Sequence, residues 1–329
     1  MIDAGFGDAP AEPVTAAREG SPWAVELRGL TRVFGQVRAV DGLSLRVPRG
    51  EIYGFLGPNG SGKTTTLKML TGLLSPTSGE ALVAGEAVRP GEASLELRKR
   101  VGFLAEEPAF YPWMTAREFL VFVGRLFSLG AAEADARAST LLQSVDLSLR
   151  ADDRIRGFSR GMRQRLGIAQ ALMGDPEVLL LDEPASALDP MGRKEMLDLI
   201  SSLRGRATIM MSSHILDDVQ RVCGWVGIVQ SGKLVVEAPL DRLLESYAKP
   251  VFHLELAGGR DELAAALKRE PWVREVAGEG GGLRILASDP AEAQRMVPAL
   301  VAGLGARLTE FVMFTPTLED VFIQLVKER

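Results

Sequence analysis

The chain has 329 residues, a net charge of −5, and hydrophobic residues at 46% of its positions. That length holds one large domain and a smaller one, each with a core of its own. The mildly acidic balance removes any general reason to expect a polyanion such as nucleic acid as a partner. The only cysteine, Cys223, excludes an internal disulfide, fits a reducing compartment, and reads as a small buried hydrophobe.

Residues 1–22 are rich in Ala, Gly, Pro and acidic side chains. They lack the basic start and apolar core of a signal peptide, so they predict a flexible tail. No later stretch approaches the roughly 20 apolar residues needed to cross a bilayer, so work at a membrane would require a partner to bring the chain there. From about 23 to 248, strand-like and helix-like segments alternate, which predicts an α/β domain built on a mostly parallel sheet. Residues 51–56 read as a buried strand, 57–62 as a glycine-rich turn and 63–74 as a helix; 178–181 and 208–213 read as two further buried strands. Between about 103 and 167 the strand signal disappears and three helices are expected, over 119–129, 131–145 and 161–173, forming an insert.

The pattern restarts near 249. Strand, helix, two strands, helix, strand and a last helix follow through 329, an order that predicts a small α+β domain of ferredoxin-like type with a hairpin turn at 280–282.

Gly57-Pro58-Asn59-Gly60-Ser61-Gly62-Lys63-Thr64 fits a phosphate-binding P-loop, lying between the predicted strand and helix. Glycines let backbone N–H groups turn inward around phosphates, and the helix N-terminus adds the positive end of its dipole. Lys63 is expected to neutralise the β- and γ-phosphates and Thr64 to ligate Mg²⁺, with Thr65 completing the nucleotide-binding run. Val178-Leu179-Leu180-Leu181-Asp182-Glu183 is an apolar strand ending in two carboxylates. Asp182 there suits a Mg²⁺ contact, while Glu183 should point differently because strand side chains alternate, leaving it to accept a proton from water. His214 ends the next strand, where open α/β sheets gather ligand groups, and could help hold Glu183 and water in line. Ser159 reads as the N-cap of the helix that follows, a capped N-terminus among arginines and so an anion site. Asp152 and Asp153 interrupt that basic run and no aromatics interleave it, which argues against a nucleic-acid patch.

Phe158-Ser159-Arg160-Gly161-Met162-Arg163-Gln164-Arg165 resembles the signature motif of the ATP-binding cassette (ABC) family, matching at Ser159, Gly161 and Gln164-Arg165 and departing at Phe158, Arg160 and Met162. The same form is similar to that of exporter subunits that work with ABC-2-type permeases. The resemblance covers about 23–248 and implies an ATPase that uses ATP and Mg²⁺. It also implies a dimer, with itself or a related subunit, in which Ser159 and Gly161 of one chain face the nucleotide held by the other. It implies adenine stacking on Phe34, a cross-dimer loop at Ser186-Ala187-Leu188-Asp189, and Glu106 in the metal-contacting place usually held by glutamine. Residues 108–117 would join the insert and face the permease, and Pro316-Thr317-Leu318-Glu319-Asp320-Val321-Phe322 resembles the closing motif of these subunits. The implied place of work is the cytoplasmic face of the cell membrane, as a peripheral subunit. A soluble ABC ATPase acting on nucleic acid or ribosomes is the alternative, opposed by the absence of a long coiled coil or a second cassette.

Overall fold

The computed structural model describes residues 21–88, 95–186, 188–247, 251–314 and 316–327. The tail expected over 1–22 therefore lies, through residue 20, outside the described residues.

Two long strands, β1 (Trp23–Phe34) and β2 (Val37–Pro48), pair antiparallel at the start. β3 (Ile52–Leu56), buried at every position, runs through the glycine-rich loop into α1 (Lys63–Leu70). Next come β4 (Ser78–Val83), β5 (Glu86–Ala87), α2 (Leu95–Arg100) and β6 (Val101–Leu104). Three helices follow: α3 (Ala116–Leu126), α4 (Ala131–Ser144) and α5 (Arg160–Leu172). Thr115 and Glu118 close a reciprocal capping box at the start of α3, which satisfies backbone donors the helix cannot pair itself. β7 (Val178–Leu181), α6 (Pro190–Ser202), β8 (Thr208–Ser213), α7 (Leu216–Val222), β9 (Trp225–Gln230) and β10 (Lys233–Pro239) complete the first part.

The strands form two sheets rather than the single one expected. A four-stranded sheet runs β2-β1-β4-β5, and a six-stranded sheet runs β10-β9-β3-β8-β7-β6. In the latter, β3 is parallel to β8 and β9, and β7 is parallel to β8 and β6. Local alternation does not reveal the split, because half-buried antiparallel strands and buried parallel ones each carry a valid strand pattern. The strand-free stretch expected from about 103 starts only after Leu104, since Phe103 and Leu104 belong to β6. That strand escapes notice because it is four residues long and contains Gly102, where a Cβ would collide with the Ala171 carbonyl of α5. Glycine weakens the strand signal at the point where helix and strand approach most closely.

Two compact units divide between Glu237 and Ala238. The second begins with α8 (Leu240–Tyr247), which the sequence reading placed with the first domain; its Leu240 and Leu243 are buried and it packs with α11 (Leu318–Lys327), which also falls in this unit. Between them run β11 (Val251–Gly258), α9 (Arg260–Leu267), β12 (Val273–Glu279), β13 (Gly282–Ala287), α10 (Pro290–Leu304) and β14 (Arg307–Met313). The sheet order β12-β13-β11-β14, antiparallel throughout, is the ferredoxin-like arrangement. Phe252, Leu254, Leu263, Trp272, Ile285 and Val297 fill its core. Glu279 pairs with Gly282 across the hairpin, and Gly280, at φ 54°, makes the turn possible.

Candidate active site

β3, β8 and β7 are neighbours in the six-stranded sheet and all point the same way, so their C-terminal ends lie side by side. Those ends carry the glycine-rich loop, His214 and the Asp182-Glu183 pair, respectively. An open parallel sheet collects its functional groups at this edge because the following loops all emerge there.

The loop wraps the start of α1. Gly60 has φ 81° and Gly62, the residue capping α1, has φ 101°. A Cβ on Gly62 would run into the Ala39 carbonyl, and one on Gly57 into the Val229 carbonyl. A Gly62→Ala variant is expected to lose about 2 kcal/mol of unfolding free energy in urea titration, from overpacking on a disfavoured backbone. Nucleotide binding should fall with it. Lys63 is buried, and its Nζ donates to the Gly57 carbonyl at 2.7 Å and the Pro58 carbonyl at 3.3 Å. The Ser61 hydroxyl is buried and has no partner among the described residues, a polar atom left over inside the cradle. Pro58, Asn59 and Gly60 form the exposed tip of the loop, and Thr65 stands half-buried on α1.

At the acidic end of β7, Asp182 Oδ1 accepts from Thr64 Oγ1 at 3.1 Å and from Ser212 Oγ at 2.7 Å. Glu183 Oε1 lies 3.3 Å from Lys63 Nζ, and Oε2 lies 2.9 Å from His214 Nδ1. Both Asp182 and Glu183 are buried, whereas His214 is 39% exposed along its side chain. The two carboxylates diverge for a reason other than the one expected. β7 ends at Leu181, and Glu183 adopts φ 48°, a left-handed conformation uncommon for a residue with a side chain. Strand alternation therefore does not act there; the backbone twist aims Glu183 at Lys63 and His214 and leaves Asp182 facing Thr64. Beyond them, Arg193 Nε donates to the buried Asp218 at 2.6 Å, linking α6 to α7. Burial pushes the Asp218 carboxyl above its ordinary range against the opposing pull of that guanidinium.

The set Thr64 Oγ1 and Asp182 Oδ1 is all oxygen, as a hard cation such as Mg²⁺ prefers. Among the described residues no group of three or more His, Cys, Asp or Glu side chains could hold a metal, so a cation here would draw on a carboxylate, a hydroxyl and the substrate's phosphates.

Other residues singled out from the sequence lie apart from this cluster. Phe34 is 44% exposed, with the Arg32 guanidinium 4.4 Å from its ring centre. Ser159 is exposed and caps α5, accepting from Met162 N at 3.2 Å. Gly161 is half-buried and faces Leu188. Glu106 is exposed; its carbonyl accepts from Gln164 Nε2 at 2.7 Å, while its carboxylate has no partner among the described residues. Ala187 of the cross-dimer loop falls outside the described residues, although Asp189 caps α6 by accepting from Gly192 N. Sequence reading overlooked Ser212 and the tie from Gln164 to Glu106. Ser212 lies within the strand read over 208–213, two residues before His214, and offered the only available signal, a polar residue near the end of a buried apolar strand.

Residues 40–186 match the family described as ABC transporter, and residues 239–326 match the C-terminal domain of DrrA1-3-like ATP-binding proteins. The ABC transporter ATP-binding protein YxlF of Bacillus subtilis (strain 168) is 37% identical over 302 residues, spanning 92% of this chain and 99% of that one. The chain belongs to the ATP-binding proteins of the ABC transporter family. The bacitracin transport ATP-binding protein BcrA of Bacillus licheniformis is 36% identical, covering 92% of this ABC ATPase and 97% of that protein. The Nod factor export ATP-binding protein I of Burkholderia lata is 37% identical over 92% of this chain and 96% of its own. Among solved structures, the dimeric post-hydrolysis state of the ATP-binding cassette MJ0796 bound to ADP and Pi aligns with a TM-score of 0.59. It has 25% identity and covers 66% of this chain and 98% of that one. The family, the fold class and the function of an exporter's ATP-hydrolysing subunit are thus those expected from the sequence, and the alternative on nucleic acid or ribosomes is not favoured.

Proposed function

We propose that this ABC ATPase closes as a dimer around two ATP molecules with Mg²⁺ and drives a separate ABC-2-type membrane permease from the cytoplasmic face. The observation that carries the reading is the convergence of Lys63, Thr64, Asp182, Glu183 and His214 at three adjacent strand ends, with Glu183 shared between Lys63 and His214. Backbone N–H groups of Asn59, Gly60 and Gly62, with Thr65 behind them, cradle the phosphates, and Lys63 balances their charge. Thr64 and Asp182 would hold Mg²⁺, and Glu106, exposed beyond the end of β6, would join them; the ion would neutralise charge on the phosphate oxygens. Glu183 takes the proton of the attacking water on a carboxylate oxygen, and His214 Nδ1 keeps that carboxylate in line.

Phe34 supplies a ring for the adenine on this reading, since it stands at the end of β1 with its side chain open to solvent. Ser159 and Gly161 make no contact with the P-loop of their own chain among the described residues, which leaves the α5 N-terminus available to the nucleotide of a second copy. No helix among the described residues is long and apolar enough to cross a membrane, so the permease is a separate chain on this reading. Exposed Tyr111 and Trp113, next to the helical insert, support contact with it there. Tagged full-length protein drawn from native membranes in mild detergent should bring down a polytopic membrane protein. Recovery of ribosomes or nucleic acid in its place would overturn the exporter assignment.

A further inference from the structure

Strand β8 ends in two serines that serve opposite sides. Ser213 Oγ accepts from Ile215 N at 2.9 Å and donates to the Ile215 carbonyl, shaping the turn toward α7. Ser212, fully buried, faces the other way, as strand alternation requires. Its single hydroxyl makes two bonds: Oγ donates to Asp182 Oδ1 at 2.7 Å and accepts from Glu183 N at 2.9 Å. The oxygen that Ser212 holds is the one that Thr64 Oγ1 also reaches, and the N–H it receives belongs to the residue with φ 48°.

We infer that Ser212 is a positioning residue that locks the metal-facing carboxylate of Asp182 and the left-handed backbone of Glu183 into one rigid unit. The inference rests on the roles given above to Asp182 and Glu183. A buried serine kept for packing alone could turn its hydroxyl to any nearby carbonyl. Here donor and acceptor are both spent on consecutive residues of the site, one through its side chain and one through its main chain. A left-handed residue with a side chain persists only where its surroundings hold it, and the Ser212 bond to Glu183 N is such a restraint. The proton on Ser212 Oγ is committed to Oδ1, the same oxygen to which Thr64 Oγ1 donates, so two hydroxyls fix that end of the carboxylate. Groups that orient metal ligands in this way typically alter metal affinity or activity by about 10–100-fold when removed.

The test compares Ser212→Ala, Ser212→Val and Ser212→Thr in the full-length chain. Without nucleotide, hydrogen exchange at the Glu183 amide should speed up by about 10-fold or more in Ser212→Ala and Ser212→Val as its acceptor is lost, and stay near the parent rate in Ser212→Thr. With ATP, the affinity for Mn²⁺ read by electron paramagnetic resonance should weaken about 10-fold and turnover fall about 10–100-fold. ATP affinity measured in EDTA should stay within about twofold of the parent, because Ser212 touches neither the loop nor Lys63. Threonine should restore exchange protection, Mn²⁺ affinity and turnover together. Unchanged Glu183 exchange and Mn²⁺ affinity in Ser212→Ala would overturn the inference, as would an equal defect in Ser212→Thr. Glu183→Gln and Asp182→Asn serve alongside: if they keep full turnover, the site roles themselves fail, whereas their inactivity beside a normal Ser212→Ala removes Ser212 alone.

Discussion

Glu183→Gln is expected to lower ATP turnover by about 10²–10⁴-fold, the usual contribution of a positioned general base. The amide keeps the size of the side chain, so the φ 48° backbone and its tie to Ser212 survive. What disappears is the capacity to take a proton from water at a site already held between Lys63 and His214. Binding should be preserved, because the phosphate contacts come from the loop backbone and Lys63. ATP would then persist in the closed pair, and size-exclusion chromatography with Mg²⁺ and ATP should show a dimer where the parent, turning over, is mostly monomer. Steady-state hydrolysis assays give the rate. Turnover within a factor of two of the parent would remove Glu183 from the chemistry, and a variant that never dimerises would remove the shared-nucleotide arrangement.

Lys63→Ala should weaken ATP binding by about 10–100-fold, since a charge-assisted hydrogen bond contributes about 1.5–3 kcal/mol. The same substitution reaches a second property. Lys63 and Glu183 have side chains only 5% and 7% exposed and stand 3.3 Å apart, so removing the ammonium leaves a carboxylate buried beside an empty volume. Breaking a buried pair from one side costs about 3–5 kcal/mol, and the lower end applies here because His214 still contacts the other carboxylate oxygen. Urea unfolding should therefore show a loss of about 3 kcal/mol for Lys63→Ala. Adding Glu183→Gln removes the stranded charge, so the double variant should recover more than half of that loss without recovering ATP affinity. A double variant no more stable than Lys63→Ala would mean that the pair exerts no electrostatic grip, and parent-like ATP affinity in Lys63→Ala would withdraw the lysine from the cradle.

Much of this chemistry is written locally. Gly57 through Thr64, the apolar run ending at Asp182 and Glu183, and the capped helix start at Ser159 are each contiguous, and each dictates its own geometry through backbone freedom, burial or a single hydrogen bond. The strands over 178–181 and 208–213, and the helix expected over 131–145 and observed over 131–144, are legible for the same reason, since periodicity is a property of neighbouring residues. The two-sheet division was not, nor was β6, whose Gly102 serves the approach of α5 rather than the strand itself. Strand order places β8 between β3 and β7, joining segments more than a hundred residues apart, and no local pattern encodes that adjacency. Only with that order in place does Ser212 come to lie between Asp182 and Glu183, Gln164 reach the carbonyl of Glu106, and Lys63 meet Glu183. The sequence by itself named Lys63, Thr64, Asp182, Glu183 and His214 as candidates, but not Ser212. The tertiary structure decided which of them touch, because contact in a parallel sheet is set by how crossover helices order the strands and by the close packing that this order permits.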